Sequence, residues 1–175
     1  PQADDIEGIV DFNIQFYDLA GNVGMQNTTT DGTSVEFDKT LPDIDVISIF
    51  SDHSNTDRAR VGSLITLEFE TNETIEFITA KINNRNTSLE NIELNVWHAS
   101  YYLLTSDIEE NVTFTIDYKD LAGNSGLQKI ETTDGSSVLF DKTKAGFTNV
   151  TISPDNDFSN YATSGNTITV EFTVN

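Results

Sequence analysis

Cysteine is absent from this chain of 175 residues, which excludes disulfide staples and every thiolate metal or nucleophile site. A β domain of about 100 residues can still stand on its apolar core alone. Basic residues are also scarce: nine Lys and Arg stand against 29 Asp and Glu, a formal net charge of −20. Phosphate recognition needs cations to neutralise it, so neither nucleic acid nor an anionic membrane surface is an expected partner. The same carboxylate excess favours solubility and admits divalent cations. The only histidines, His53 and His98, lie far apart in sequence and lack the neighbours of a zinc site or of a nucleophile's base. No apolar run approaches the ~20 residues of a membrane helix. Glycine-rich phosphate cradles are missing as well, because the Gly-Asn turns lead into no helix. A chance pair of carboxylates without a groove to hold sugar is no argument for glycoside hydrolysis. Enzymatic activity is therefore not expected.

What is present is a sequence that repeats itself. Asp5-Ile6-Glu7, the alternating Val10, Phe12, Ile14 and Phe16, and Asp18-Leu19-Ala20-Gly21-Asn22 return as Asp107-Ile108-Glu109, Val112, Phe114, Ile116 and Tyr118, and Asp120-Leu121-Ala122-Gly123-Asn124, an offset of 102. Thr30-Asp31-Gly32 through Asp38-Lys39-Thr40 returns as Thr133-Asp134-Gly135 through Asp141-Lys142-Thr143 at an offset of 103. Gly62, Ile65, Thr66, Glu68 and Phe69 are echoed by Gly165, Ile168, Thr169, Glu171 and Phe172 at the same offset. Such a period is the size of a small β domain, whereas solenoid repeats run to about 20–50 residues. The expected organisation is residues 1–40 as the back of one unit, 41–143 as a complete unit and 144–175 as the front of another. The start at Pro1 reads as a processed or excised piece of a longer protein.

Thr, Val, Ile and Phe are plentiful and no helical stripe persists, so the elements are strands. In the complete unit the period-two pattern places them at 45–50, 64–70, 75–82, 92–104 (as two strands), 112–118, 126–131 and 137–141. Ile65, Leu67 and Phe69 alternate with Thr66, Glu68 and Glu70, which gives each sheet one dry and one wet face. Seven or so short strands in about 100 residues point to an immunoglobulin-like sandwich. Trp97, with Ala99, Tyr101 and Leu103 behind it, is the expected core anchor, and His98 faces outward.

With Asp-Leu-Ala-Gly-Asn in a hairpin and Thr-Asp-Gly-x-Ser-Val-x-Phe-Asp-Lys-Thr before the next unit, the chain resembles the tandem immunoglobulin-like, cadherin-like repeats of large secreted and surface proteins, bacterial adhesins included. The resemblance covers nearly the whole chain. It implies an all-β fold of tandem immunoglobulin-like β-sandwich repeats with incomplete units at both ends, placed outside the cell or on its surface. Units of this kind often close on Asp-x-Thr-x-Pro. Asp38 to Pro42 fits, while Lys142-Thr143-Lys144-Ala145 lacks the proline.

Two sets of candidate site residues follow. Asp18 and Asp120 suit turns in which Gly21 and Gly123 take positive φ; alternatively Asp120 and Asn124 supply oxygens to calcium. Asp38, Asp43 and Asp45 at the first junction, and Asp141 at the second, are further candidate calcium ligands that would stiffen a linker, against a plain solvated acidic surface. Calcium is the one cofactor the pattern admits. Asn27, Asn72, Asn86, Asn111 and Asn149 each open an Asn-x-Ser/Thr acceptor for N-linked glycan, although chance alone gives nearly that many in so Asn- and Thr-rich a chain.

Incomplete sandwiches expose apolar faces and strand edges that drive association. The expected function is an extracellular structural protein, a fibre or filament subunit whose tail packs on the head of the next copy. The alternative is a binding module, the stalk of a surface adhesin whose ligand-binding tip lies elsewhere or whose loops hold glycans or protein.

Overall fold

The computed structural model describes residues 4–158 and 160–175 and is all-β, with no helix among the described residues. Its contacts divide it into two compact units, the second being Lys142–Asn175. The leading segment holds β1 (Gly8–Ile9), β2 (Ile14–Tyr17), β3 (Val23–Gln26) and β4 (Glu36–Phe37). Here β1 pairs antiparallel with β4, and β2 with β3. The central segment follows with β5 (Ile44–Ser51), β6 (Arg58–Ala59), β7 (Leu64–Thr71), β8 (Ile75–Ile82), β9 (Arg85–Asn86), β10 (Ser88–Glu93), β11 (Val96–Tyr102), β12 (Phe114–Asp120) and β13 (Leu139–Phe140). The second unit is an antiparallel pair, β14 (Phe147–Pro154) and β15 (Ile168–Val174).

The central segment forms a four-stranded sheet in the order β10-β11-β7-β5 and a three-stranded sheet in the order β12-β8-β9, closed by a parallel pairing of β13 with β6. The alternation expected in β7 is realised: Ile65, Leu67 and Phe69 are buried while Thr66, Glu68 and Glu70 face outward. Phe114, Ile116 and Tyr118 of β12 do the same from the opposite sheet. All six join Ile47, Ile49, Ile82, Ala99, Val138 and Phe140 in one apolar cluster, an arrangement compatible with a β-sandwich. Burial of such faces, at about 25 cal/mol per Å² of apolar surface, is the main drive for the fold.

Most of the expected strands lie within a few residues of the observed ones, and three departures have physical reasons. Trp97 is not the buried anchor; it packs part-exposed against the core beside its cross-strand partner Phe69, which is fully buried. The segment 126–131 forms no strand and makes only isolated bridges, Lys119↔Ser125 and Ile116↔Lys129. In the leading segment the equivalent residues make the regular β2–β3 ladder, Tyr17↔Val23 through Ile14↔Gln26. The step in the repeat offset from 102 to 103 falls between these bridges, and one added residue on one strand interrupts the pairing as a bulge does. Finally, β6 and β9 are too short to show a period. The β8–β9 connection is Asn83-Asn84, with φ of 48° and 60°, the double positive φ that a two-residue hairpin turn of the right twist needs.

One glycine position has a steric reason that both repeats share. A Cβ on Gly126 would sit 2.1 Å from the Tyr118 ring, and one on Gly24 would sit 2.2 Å from Phe16. The glycine leaves the floor on which the aromatic ring lies. In the central segment that ring is buried, and its hydroxyl donates to Asp43 at 3.4 Å. Burial foremost, and then the Asp43 charge, push the Tyr118 hydroxyl up to about 12.

Candidate functional site

The Asp-Leu-Ala-Gly-Asn segments are turns built on their own aspartates. Asp18 Oδ1 accepts the amides of Ala20 and Asn22 at 2.8 and 2.9 Å, and its Oδ2 accepts the Asn22 side-chain amide at 2.7 Å. These bonds, the Asn22 side chain first, hold the Asp18 carboxyl below its ordinary range. Asp120 repeats the pattern, accepting Asn124 N–H at 2.9 Å and Asn124 Nδ2 at 2.8 Å. Gly21 and Gly123 take φ of 87° and 91°, which lets the chain reverse at no steric cost.

Asp120 differs from Asp18 in its surroundings. It is buried, and its carboxylate lies within 4.8 Å of those of Asp38 and Glu73, the one group of three or more metal-type side chains among the described residues. Asp38 arrives from the end of the leading segment, Glu73 from the turn between β7 and β8, and Asp120 from the end of β12. Asn124 ties the Asp120 turn to the end of the leading segment, its Nδ2 donating to the carbonyls of Asp38 and Thr40 at 3.2 Å each. Of the expected calcium set the structure thus unites Asp38 and Asp120, and it adds Glu73. Asn124 joins as a donor rather than as an oxygen ligand.

The other expected ligands lie elsewhere. Asp43 accepts Lys129 Nζ at 2.6 Å and is held below its ordinary range chiefly by that bond. Asp45 is exposed at the β5 bulge between Ile44 and Val46. The Asp141 amide donates to the Ala59 carbonyl at 2.9 Å, beside β6. Calcium takes six to eight oxygens, waters and both oxygens of a carboxylate among them; at this place the three carboxylates converge, while the Asp38 and Thr40 carbonyls are engaged by Asn124.

The chemistry the cluster does show is like-charge repulsion. Burial first, and then the charges of Asp120 and Asp38, raise the proton affinity of Glu73. A carboxyl whose folded pKa is raised favours the fold below its unfolded value and loses that contribution as pH climbs through the folded value. Glu73→Gln is therefore expected to stabilise the protein by roughly 0.5–1 kcal/mol at pH 7. The gain should shrink below pH ~4.5 and in high salt. Urea unfolding at both pH values checks this; a variant less stable than the parent at pH 7 would contradict it.

The five acceptor asparagines are all exposed. Asn86 lies on β9, just past the Asn83-Asn84 turn, and Asn149 on β14. Asn27 follows β3. Asn111 bridges to Leu139, and Asn72 Oδ1 accepts the Asp43 amide at 2.8 Å.

Sequence reasoning missed a second buried acid. Asp107 accepts the Leu104 amide at 2.7 Å and the Tyr101 hydroxyl at 3.0 Å, with Arg85 Nε at 3.8 Å. The signal was present in the repeat, where Asp107 matches Asp5, and nothing in its local sequence marks it as buried. Against these features, no protein-family model matches the chain, and comparison with curated proteins and with solved structures gives no match.

Proposed function

We propose that this chain is an extracellular structural protein, a fibre subunit of tandem immunoglobulin-like β-sandwich repeats that joins head to tail with further copies of itself and catalyses nothing. The observation that carries this reading is a mismatch of exposure between equivalent positions of the repeat. In the central segment Ile65, Leu67 and Phe69 are 0% exposed, while Ile168, Val170 and Phe172 are 49%, 55% and 62% exposed. Phe114, Ile116 and Tyr118 are 6%, 0% and 2% exposed, while Phe12, Ile14 and Phe16 are 38%, 54% and 55% exposed. The leading and trailing segments thus each present an apolar face of the kind that the other covers within the central segment. Contiguous apolar faces mark interaction surfaces, and a contact between different faces of identical chains propagates into a filament unless its rotation closes a ring. Placement outside the cell rests on the resemblance of the repeat motifs to those of secreted and surface proteins.

Sedimentation and negative-stain microscopy of the purified chain test this. Polymers that lengthen with concentration are expected. A monomer that persists at high micromolar concentration would overturn the fibre and leave the stalk of a surface adhesin.

A further inference from the structure

The local structure of both outer segments is already that of the central one. In the leading segment Thr33 N–H donates to Asp31 Oδ1 and Thr29 Oγ1 to the Thr33 carbonyl. Ser136 N–H to Asp134 Oδ1 and Thr132 Oγ1 to the Ser136 carbonyl are the same bonds one repeat later. Val10 N–H to the Val35 carbonyl matches Val112 N–H to the Val138 carbonyl, at 2.8 Å in each. In the trailing segment Asp155 N–H to Thr167 O, Tyr161 N–H to Phe158 O and Asn166 N–H to Thr163 O match Asp52 to Leu64, Arg58 to Asn55 and Ser63 to Arg60.

The central segment also shows how these two pieces fit. Ile47 exchanges main-chain contacts with Thr133, donating to its Oγ1 at 2.9 Å and accepting its amide at 3.0 Å. Ile49 N–H donates to Ser136 Oγ at 2.8 Å. Beyond that, Leu139 and Phe140 run parallel to Arg58 and Ala59. Val150 and Ile152 hold the register against β15 that Ile47 and Ile49 hold against β7, namely Val150↔Phe172 and Ile152↔Val170 against Ile47↔Phe69 and Ile49↔Leu67. The outward main-chain groups of β14 therefore present the edge that Thr133 and Ser136 occupy on β5.

We infer that a second copy of this chain docks its residues 30–37 along the outer edge of β14, with the Thr30 and Thr33 hydroxyls accepting the amides of Val150 and Ile152. Glu36 and Phe37 then run parallel to Tyr161 and Ala162. The inference rests on the fibre reading and specifies its joint. Both partners are preorganised by bonds of their own, so docking orders little chain, and the main-chain ladder supplies affinity as in strand addition to a sheet edge.

Because the chain has no cysteine, cross-linking has no background. Glu36→Cys chains mixed with Tyr161→Cys chains and a short bis-maleimide can link only between molecules. Arg58→Cys with Leu139→Cys in one chain calibrates the geometry. A covalent dimer from the mixture is expected, with none from Glu36→Cys mixed with Thr148→Cys, at the other end of β14. Thr30→Val with Thr33→Val should raise the concentration for half-assembly roughly ten-fold. Polymers that form without the Glu36–Tyr161 link overturn the register and leave the fibre standing. Absence of any polymer overturns both.

Discussion

Phe69→Ala is expected to cost the central segment about 3–5 kcal/mol, a large share of the roughly 5–15 kcal/mol by which such domains are stable. Phe69 is the largest fully buried side chain of β7. It stands directly across from Trp97 on β11 and Ile47 on β5, so truncation opens a cavity where the two inner faces meet and where rigid strands cannot collapse. Trp97 is the only tryptophan, which makes its fluorescence a reporter of this unfolding in urea. The repeat supplies its own control. Phe172 occupies the equivalent position, and its ring meets Phe147 edge-on at 5.3 Å between centroids, yet it is exposed. Phe172→Ala should leave the Trp97 transition of the isolated chain within ~0.5 kcal/mol of the parent. Equal losses from the two substitutions would contradict the assignment of Phe69 to the core and of Phe172 to an open face.

The second large effect is expected at Asp107. Its carboxylate is buried and serves the Leu104 amide, the Tyr101 hydroxyl and, more distantly, Arg85. Asp107→Ala leaves a main-chain donor and a phenol without their acceptor in surroundings that water reaches poorly, a loss of about 2–4 kcal/mol. For a domain of this size that corresponds to a fall in Tm of roughly 10–20 °C. Asp107→Asn keeps one acceptor oxygen and should cost less. Melting followed by near-ultraviolet circular dichroism checks the order parent, Asn variant, Ala variant. An Ala variant that melts within ~2 °C of the parent would show that these bonds make no net contribution.

How far such effects are foreseeable from residues alone depends on what carries the signal. The face alternation of β7 and the extent of β8, expected at 75–82 and observed at Ile75–Ile82, are legible because a half-buried strand writes its period into the chain. The segment 126–131 has a suitable pattern too. What prevents a ladder there is a single inserted residue, visible only when the two repeats are set side by side. The acidic cluster illustrates the other limit. Asp43 and Asp45 are near Asp38 in sequence, yet the Asp43 carboxylate is engaged by Lys129 and Asp45 lies exposed on β5. Glu73 is remote in sequence and arrives because the β7–β8 turn and the Asp120 turn meet at one end of the two sheets. Nothing in its local sequence distinguishes Glu73, which is half-buried, from the exposed glutamates. Trp97 misleads for a different reason, since a side chain so large is rarely enclosed completely even when its strand neighbours are.

The contacts that close the central segment also set an order in time. The Ile47–Thr133 bond joins residues 86 apart in sequence, and β13 reaches back from Leu139 to Arg58. Non-local pairings of this kind form late, because a long loop must be closed before they repay its entropy. As the chain leaves the ribosome, β5 and β7 therefore exist first as an open pair with its apolar face bare, the condition in which β14 and β15 are found. A newly made central segment therefore passes through a stage at which the edge of β5 that Thr133 and Ser136 later fill is still unpaired.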